Sequence, residues 1–231
     1  MEKLKVMTVY GPRPEAIKKA PLVKVLEQRE EIESVVCVTA QHRQMLDQVM
    51  DIFNIRADFD LDIMKSGQTL SDITARVMKG IEETIKAARP DIVLVHGDTA
   101  TTLAAALACF YRGVRLGHVE AGLRTYDRTA PFPEEFNRRA VSLMADLNFA
   151  PTPRAARNLI SEGADPDTVF ITGNTVVDAL HYTHRPDFHH PALDAAQGRR
   201  IIMVTLHRRE SRGEAMERMF AEIRRLADSR Q

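Results

Sequence analysis

Short runs dense in β-branched and aliphatic residues alternate along the chain with longer runs whose apolar residues recur every three or four positions. The first pattern marks buried strands and the second amphipathic helices; their alternation is that of βαβ units in a parallel sheet. Strands are predicted over Leu4–Tyr10, Val35–Thr39, Asp91–His96, Val114–Val119, Leu147–Ala150 and Val169–Thr172. The continuous apolar character of the Asp91–His96 strand points to a central position covered on both faces. Helices are predicted from Pro14 through Leu26, over Met45–Phe53, and from the start signal Thr69–Leu70–Ser71–Asp72 to Ala88. Others follow over Thr99–Phe110, Pro133–Met144 and Pro153–Glu162, and from Thr175 onward. The stretch Asp58–Gln68 has neither period and reads as an irregular or short extended loop. The fold class is α/β, with a Rossmann-like, doubly wound parallel sheet.

The pattern breaks over residues 184–198, where Pro186, Pro191 and clustered His and Asp residues read as an interdomain linker. One strand, Ile201–Leu206, and one amphipathic helix, Glu214–Ala227, are predicted after it. A single strand and helix cannot cover both faces of a parallel strand. The expected organisation is therefore a first domain over 1–183, a linker over 184–198, and residues 199–231 as the opening βα unit of a truncated second domain.

Composition refines this picture. With 44% hydrophobic and 28% charged residues in 231, the chain can build a sizeable core. Its 32 basic residues balance 32 acidic ones, so no broad field favours nucleic acid or an anionic membrane surface. Cys37 and Cys109, far apart in apolar stretches, offer neither a disulfide framework nor a metal pair and read as small buried hydrophobes. No apolar run is long enough to span a bilayer and no signal peptide opens the chain, so a cytoplasmic protein is expected.

In open α/β sheets ligands bind beyond the carboxyl ends of the strands, and five polar clusters fall there. They are Gly11–Pro12–Arg13–Pro14–Glu15 through Lys18; Gln41–His42–Arg43–Gln44; His96–Gly97–Asp98–Thr99; His118–Val119–Glu120–Ala121–Gly122 with Leu123–Arg124–Thr125; and His207–Arg208–Arg209–Glu210. Each has a plainer reading. Asp98 could cap a helix, and Glu134 and Glu135 could serve a helix dipole. Arg13 and Lys18 could be surface charges, and His207 a structural histidine. Glu120 is harder to explain so, because it follows an apolar strand and precedes Ala121–Gly122, where a carboxylate needs a partner. The turn after the first strand lacks G-x-G-x-x-G and no Walker motif occurs, which argues against bound NAD and P-loop hydrolysis. His181, His184, His189 and His190 lack cysteine partners and lie in or beside the linker, so no metal site and no cofactor is expected.

These motifs, in this order, resemble the bacterial non-hydrolysing UDP-N-acetylglucosamine 2-epimerases. The resemblance rests on the clusters just quoted, with Pro133–Glu134–Glu135–Phe136–Asn137–Arg138 and Thr172–Gly173–Asn174–Thr175, and runs from end to end. It implies a GT-B-type two-domain architecture and interconversion of UDP-GlcNAc and UDP-ManNAc through UDP elimination and re-addition. It implies Asp98, Glu120, Glu134 and His207 as catalytic residues, with Arg13 and Lys18 near the substrate. Gln41, Gln44, Gln68 and Arg208, with Glu134, match a second, regulatory UDP-GlcNAc site. A homodimer is implied as well. Two positions depart from the family pattern: Pro12 stands where a Thr is usual, and Gly67 where some relatives are basic. A hydrolysing relative, a GT-B glycosyltransferase and a non-catalytic binding domain are the alternatives.

Overall fold

A computed structural model describes residues 3–39, 43–65, 67–196, 198–206 and 213–229, without the side chains of 43–45. The chain divides into two compact units, Met1–His184 and Arg185–Gln231.

The first unit is a seven-stranded, all-parallel sheet flanked by helices. Its elements are β1 (Leu4–Tyr10), α1 (Arg13–Glu27), β2 (Ile32–Val38), α2 (Arg43–Phe53), β3 (Phe59–Asp60), α3 (Leu70–Ala88) and β4 (Ile92–His96). There follow α4 (Ala100–Arg112), β5 (Arg115–Val119), α5 (Glu134–Met144), β6 (Leu147–Ala150), α6 (Pro153–Ser161), β7 (Val169–Ile171) and α7 (Thr175–Thr183). The order across the sheet is β3-β2-β1-β4-β5-β6-β7. The chain thus winds outward one way from β1 and the other way from β4, which makes the β1/β4 boundary the switch point.

Alternation along the strands builds two cores. Met7, Val9, Val35, Cys37, Val93 and Val95 point to the layer of α3, α4 and α5, where Ile73, Val77, Ile81 and Ala104 meet them. On the opposite face Tyr10, Val36 and Val38 meet Ala16, Ala20 and Val23 of α1, Leu46 and Phe53 of α2, and Ala179 of α7. Both cysteines are fully buried and free, as expected. β4 is buried at every position, in keeping with its central place. The Thr69 signal is a capping box with Asp72, and α3 ends at Arg89 in the left-handed region before Pro90.

β2 starts three residues earlier than the apolar run suggests, because Ile32–Ser34 pair in register with Leu4–Val6 of β1. Asp98 does not cap α4: Thr99 does, its hydroxyl accepting from the Thr102 N–H.

The second unit holds a four-residue helix, α8 (Pro191–Asp194), and α9 (Glu214–Asp228). The strand expected over Ile201–Leu206 is not formed. A strand needs a neighbour for its backbone groups, and among the described residues of this unit there is none. Ile202 is 74% and Met203 90% exposed.

Candidate functional site

The site is built on the carboxyl ends of β1, β4 and β5. β4 and β5 end side by side, with His96 opposite Val119 in register. The chain then leaves β5 through Glu120, whose φ of +61° lies in the left-handed region that a side chain rarely adopts. Such strain, of order 1–3 kcal/mol, persists only where surrounding contacts hold it. Gly122 completes the turn at φ +86°, and a Cβ there would stand 2.2 Å from the Ala155 carbonyl oxygen.

Those contacts converge on the Glu120 carboxylate. Lys18 Nζ lies 2.8 Å from Oε1 and 2.6 Å from Oε2, and His96 Nε2 lies 3.0 Å from Oε2. Burial opposes ionisation of Glu120, but His96 and Lys18 outweigh it and hold the carboxyl down at about 2. Burial also lowers His96, keeping the ring neutral. The neutral ring therefore donates Nε2–H to Glu120 and leaves Nδ1 as a buried acceptor without a partner. His118, buried and lowered to about 4, likewise stays neutral, and its Nε2–H donates to the Gly97 carbonyl at 2.7 Å.

Asp98, two residues beyond β4, has a different setting. Burial pushes its carboxyl up to about 6; Arg138 pulls the other way, and Glu120 and Glu134 push with burial. Arg138 Nη1 lies 3.1 Å from Oδ2. The Asn137 side-chain amide donates to the Asp98 backbone carbonyl at 2.8 Å. Arg138 is itself anchored by Glu135, Nε at 2.8 Å and Nη2 at 2.6 Å from Oε2. Glu135 is fully buried and accepts the backbone N–H groups of Thr125 and Tyr126, each at 3.0 Å. Burial raises its carboxyl, but these donors and Arg138 outweigh it and hold the carboxyl below the usual range.

Of the residues singled out from sequence, the fold gathers Lys18, Asp98, Glu120 and Glu134 into one electrostatically coupled cluster. Arg13 is exposed on the first turn of α1. Gln68 makes two hydrogen bonds within its own loop, accepting from the Lys65 N–H at 2.7 Å and donating to the Ile63 carbonyl at 2.8 Å. His207, Arg208 and Gln41 lie outside the described residues, as does the Gln44 side chain.

From sequence, Glu135 reads only as a helix-dipole carboxylate, and neither His96 nor Arg138 is singled out as a site residue. The spacing of Glu135 and Arg138, three apart on a helix, is the signal that could have paired them. Chemically, the site sets a carboxyl that titrates at about 6 beside one held at about 2. Two carboxyls pushed apart in this way are suited to proton exchange. Among the described residues no group of three His, Cys, Asp or Glu side chains could hold a metal ion. No described helix is long and apolar enough to cross a membrane.

Comparison with known proteins identifies the family. A family model described as UDP-N-acetylglucosamine 2-epimerase matches residues 24–231. The chain is 56% identical to the Bacillus subtilis UDP-N-acetylglucosamine 2-epimerase over 226 residues, which is 98% of this chain and 60% of that one. A Listeria monocytogenes structure carrying the same family name superposes with a TM-score of 0.95 at 57% identity, over 99% of this chain and 61% of that one. The Neisseria meningitidis UDP-GlcNAc 2-epimerase, solved bound to UDP-GlcNAc, superposes with a TM-score of 0.74 at 52% identity, over 77% and 48%. The chain spans about 60% of the length of the curated relatives it matches. It belongs to the UDP-N-acetylglucosamine 2-epimerase family.

Proposed function

We propose that this chain carries the acid–base half of an enzyme that interconverts UDP-GlcNAc and UDP-ManNAc without hydrolysis. The observation that carries the reading is the pair of carboxyls on adjacent strand ends, Asp98 raised and Glu120 depressed. Kinship to a Neisseria relative solved with UDP-GlcNAc supports the substrate class.

Inverting C2 requires that its proton leave one face and another arrive at the opposite face. Loss of the C2 proton as the C1–O bond breaks forms a C1=C2 double bond, giving 2-acetamidoglucal and UDP. Protonation at C2 from the other face and re-addition of the UDP oxygen at C1 restore the sugar. A group titrating at about 6 can both take and give a proton near neutrality, which suits Asp98 to this exchange. Glu120 stays ionised and keeps Lys18 and the neutral His96 in place. Glu134 supplies the third carboxyl. Lys18, Arg13 and His207 are assigned to the charge that develops on departing UDP. Gln41, Gln44, Gln68 and Arg208 are assigned to a second, regulatory UDP-GlcNAc site. In this reading residues 1–183 form one domain and residues beyond the linker belong to another.

The test is incubation with UDP-GlcNAc in heavy water, followed by NMR. UDP-ManNAc carrying deuterium at C2 is the expected product. Free ManNAc with UDP would replace the reading with a hydrolysing one. Equal rates of C2 exchange in the wild type and in Asp98→Asn would overturn the role of Asp98.

A further inference from the structure

The β1/β4 boundary carries a second set of charges that the reaction above does not use. The β1–β2 ladder runs to Tyr10 and Val38, and the β4–β5 ladder to His96 and Val119. The β1–β4 ladder stops earlier, at Thr8 and Leu94. Beyond that point the two central strands are no longer paired with each other.

Two side chains of α1, one turn apart, reach this unpaired end. Lys19 is fully buried, and its Nζ donates to the Val9 carbonyl of β1 at 2.6 Å and to the Leu94 carbonyl of β4 at 2.7 Å. It therefore bridges the strands where their own hydrogen bonds end. Glu15 is 4% exposed and does the same one level higher. Its Oε2 accepts the Gly11 N–H at 2.9 Å, on the turn after β1. Its Oε1 meets the hydroxyls of Thr99 and, at 3.0 Å, Thr102, at the start of α4 after β4. Gly11 fits this seam closely, since a Cβ would stand 2.5 Å from Thr39 Oγ1.

A buried ammonium and a buried carboxyl are costly to keep, and an apolar pair of similar volume is often as stable or more so. Burial lowers Lys19 to about 7 and raises Glu15. The groups that face Lys19 are Glu15, Cys37, the Tyr10 ring at 6.0 Å, and more distantly His96 and His118. Stability alone does not account for such a pair; geometry does. The seam joins the strand and helix that carry Lys18 to the strand whose end carries His96 and Asp98.

We propose that Glu15 and Lys19 are positioning residues: a buried bracket across the β1/β4 switch point that fixes the reach of Lys18 to Glu120. The importance of that reach rests on the active-site reading above, but the bracket itself is tested without substrate.

The probe is the Glu120 carboxyl, followed by carbon-13 NMR against pH, with the His96 ring nitrogens as a second signal. Lys19→Met keeps an unbranched side chain and removes both N–H···O bonds. Glu15→Ala removes every acceptor, whereas Glu15→Gln retains one oxygen and adds N–H donors. In Lys19→Met and Glu15→Ala the Glu120 midpoint should rise from about 2 towards the ordinary glutamate range. In Glu15→Gln it should stay near the wild type. Folded Lys19→Met and Glu15→Ala proteins with unmoved Glu120 and His96 signals would overturn the proposal. Should Glu15→Ala not fold, Lys19→Met decides on its own. C2 exchange in the same variants should fall about tenfold, with Glu15→Gln restoring it. A wild type that exchanges no C2 proton would fail the functional reading and leave the bracket to be decided by the NMR signals.

Discussion

The ends of β4 and β5 are adjacent, and each is followed by one carboxyl of the same electrostatic cluster. Glu120 sits on a strained left-handed residue and is gripped by Lys18 through both oxygens and by His96 through one. Asp98 is among neither the strained residues nor the doubly gripped ones; it meets a single cation, Arg138, which also serves Glu135. Burial disfavours the charged form of both. With two partners the penalty is overcome and Glu120 falls to about 2; with one shared partner it is not, and Asp98 rises to about 6. What separates a fixed anion from a titrating acid here is therefore the set of neighbours: Lys18 and a donating His96 for Glu120, against a shared Arg138 and the repelling Glu120 and Glu134 for Asp98.

The sharpest break of this contrast is Glu120→Gln. It leaves Lys18 and His96 a single neutral amide oxygen and removes the negative charge that helps raise Asp98. C2 exchange is expected to fall by about 10²–10⁴-fold, measured by deuterium incorporation. Glu135→Gln attacks the other side. It removes the buried charge that anchors Arg138 and leaves one oxygen where two served the backbone donors, and urea unfolding should show a loss of about 3–5 kcal/mol. With Arg138 then free to turn wholly to Asp98, the Asp98 midpoint should move down from about 6.

A smaller effect tests the electrostatics by sign. Asp98 binds its proton more tightly folded than unfolded, so its contribution to stability is complete below about pH 4 and is lost as pH rises through about 6. Glu120 is the reverse: its contribution is present above the ordinary glutamate range and is lost as pH falls through about 2. Asp98→Asn should therefore flatten the stability profile between roughly pH 4 and 6, by about 3 kcal/mol, and leave the more acid limb intact.

These two carboxyls were legible before any coordinates, because each follows an apolar run and strand ends are where a parallel sheet gathers polar groups. Glu135 and Arg138 were not. Charges in the first turns of a helix are ordinarily solvated, and only the backbone of Thr125 and Tyr126, folded over from the preceding loop, makes Glu135 a buried acceptor. Lys19 was masked for a similar reason. It is the second of two lysines on a helix; Lys18 points to the site, whereas Lys19 reaches a gap in the sheet that only strand order reveals. The stretch Ile201–Leu206 shows the opposite error. Its composition is that of a strand, but composition supplies no neighbour to bond with, and Met203 is 90% exposed.

The finest test isolates the backbone beneath the two carboxyls. Glu120→Gly and Glu120→Ala both abolish the pairing with Lys18 and His96, so their difference reports on conformation alone. At φ +61° glycine carries no Cβ penalty, and Glu120→Gly should be the more stable of the pair by about 1 kcal/mol. Asp98 is not among the residues with positive φ, so there the order should reverse. Asp98→Gly should be less stable than Asp98→Ala by about 0.5–1 kcal/mol, through the greater freedom of the unfolded chain. Four unfolding curves measure both differences. Opposite signs would show that the strain at Glu120 belongs to the backbone turn after β5. The same sign at both positions would mean that the Lys18 and His96 contacts themselves pull Glu120 into the left-handed region, and that the turn relaxes once they are gone.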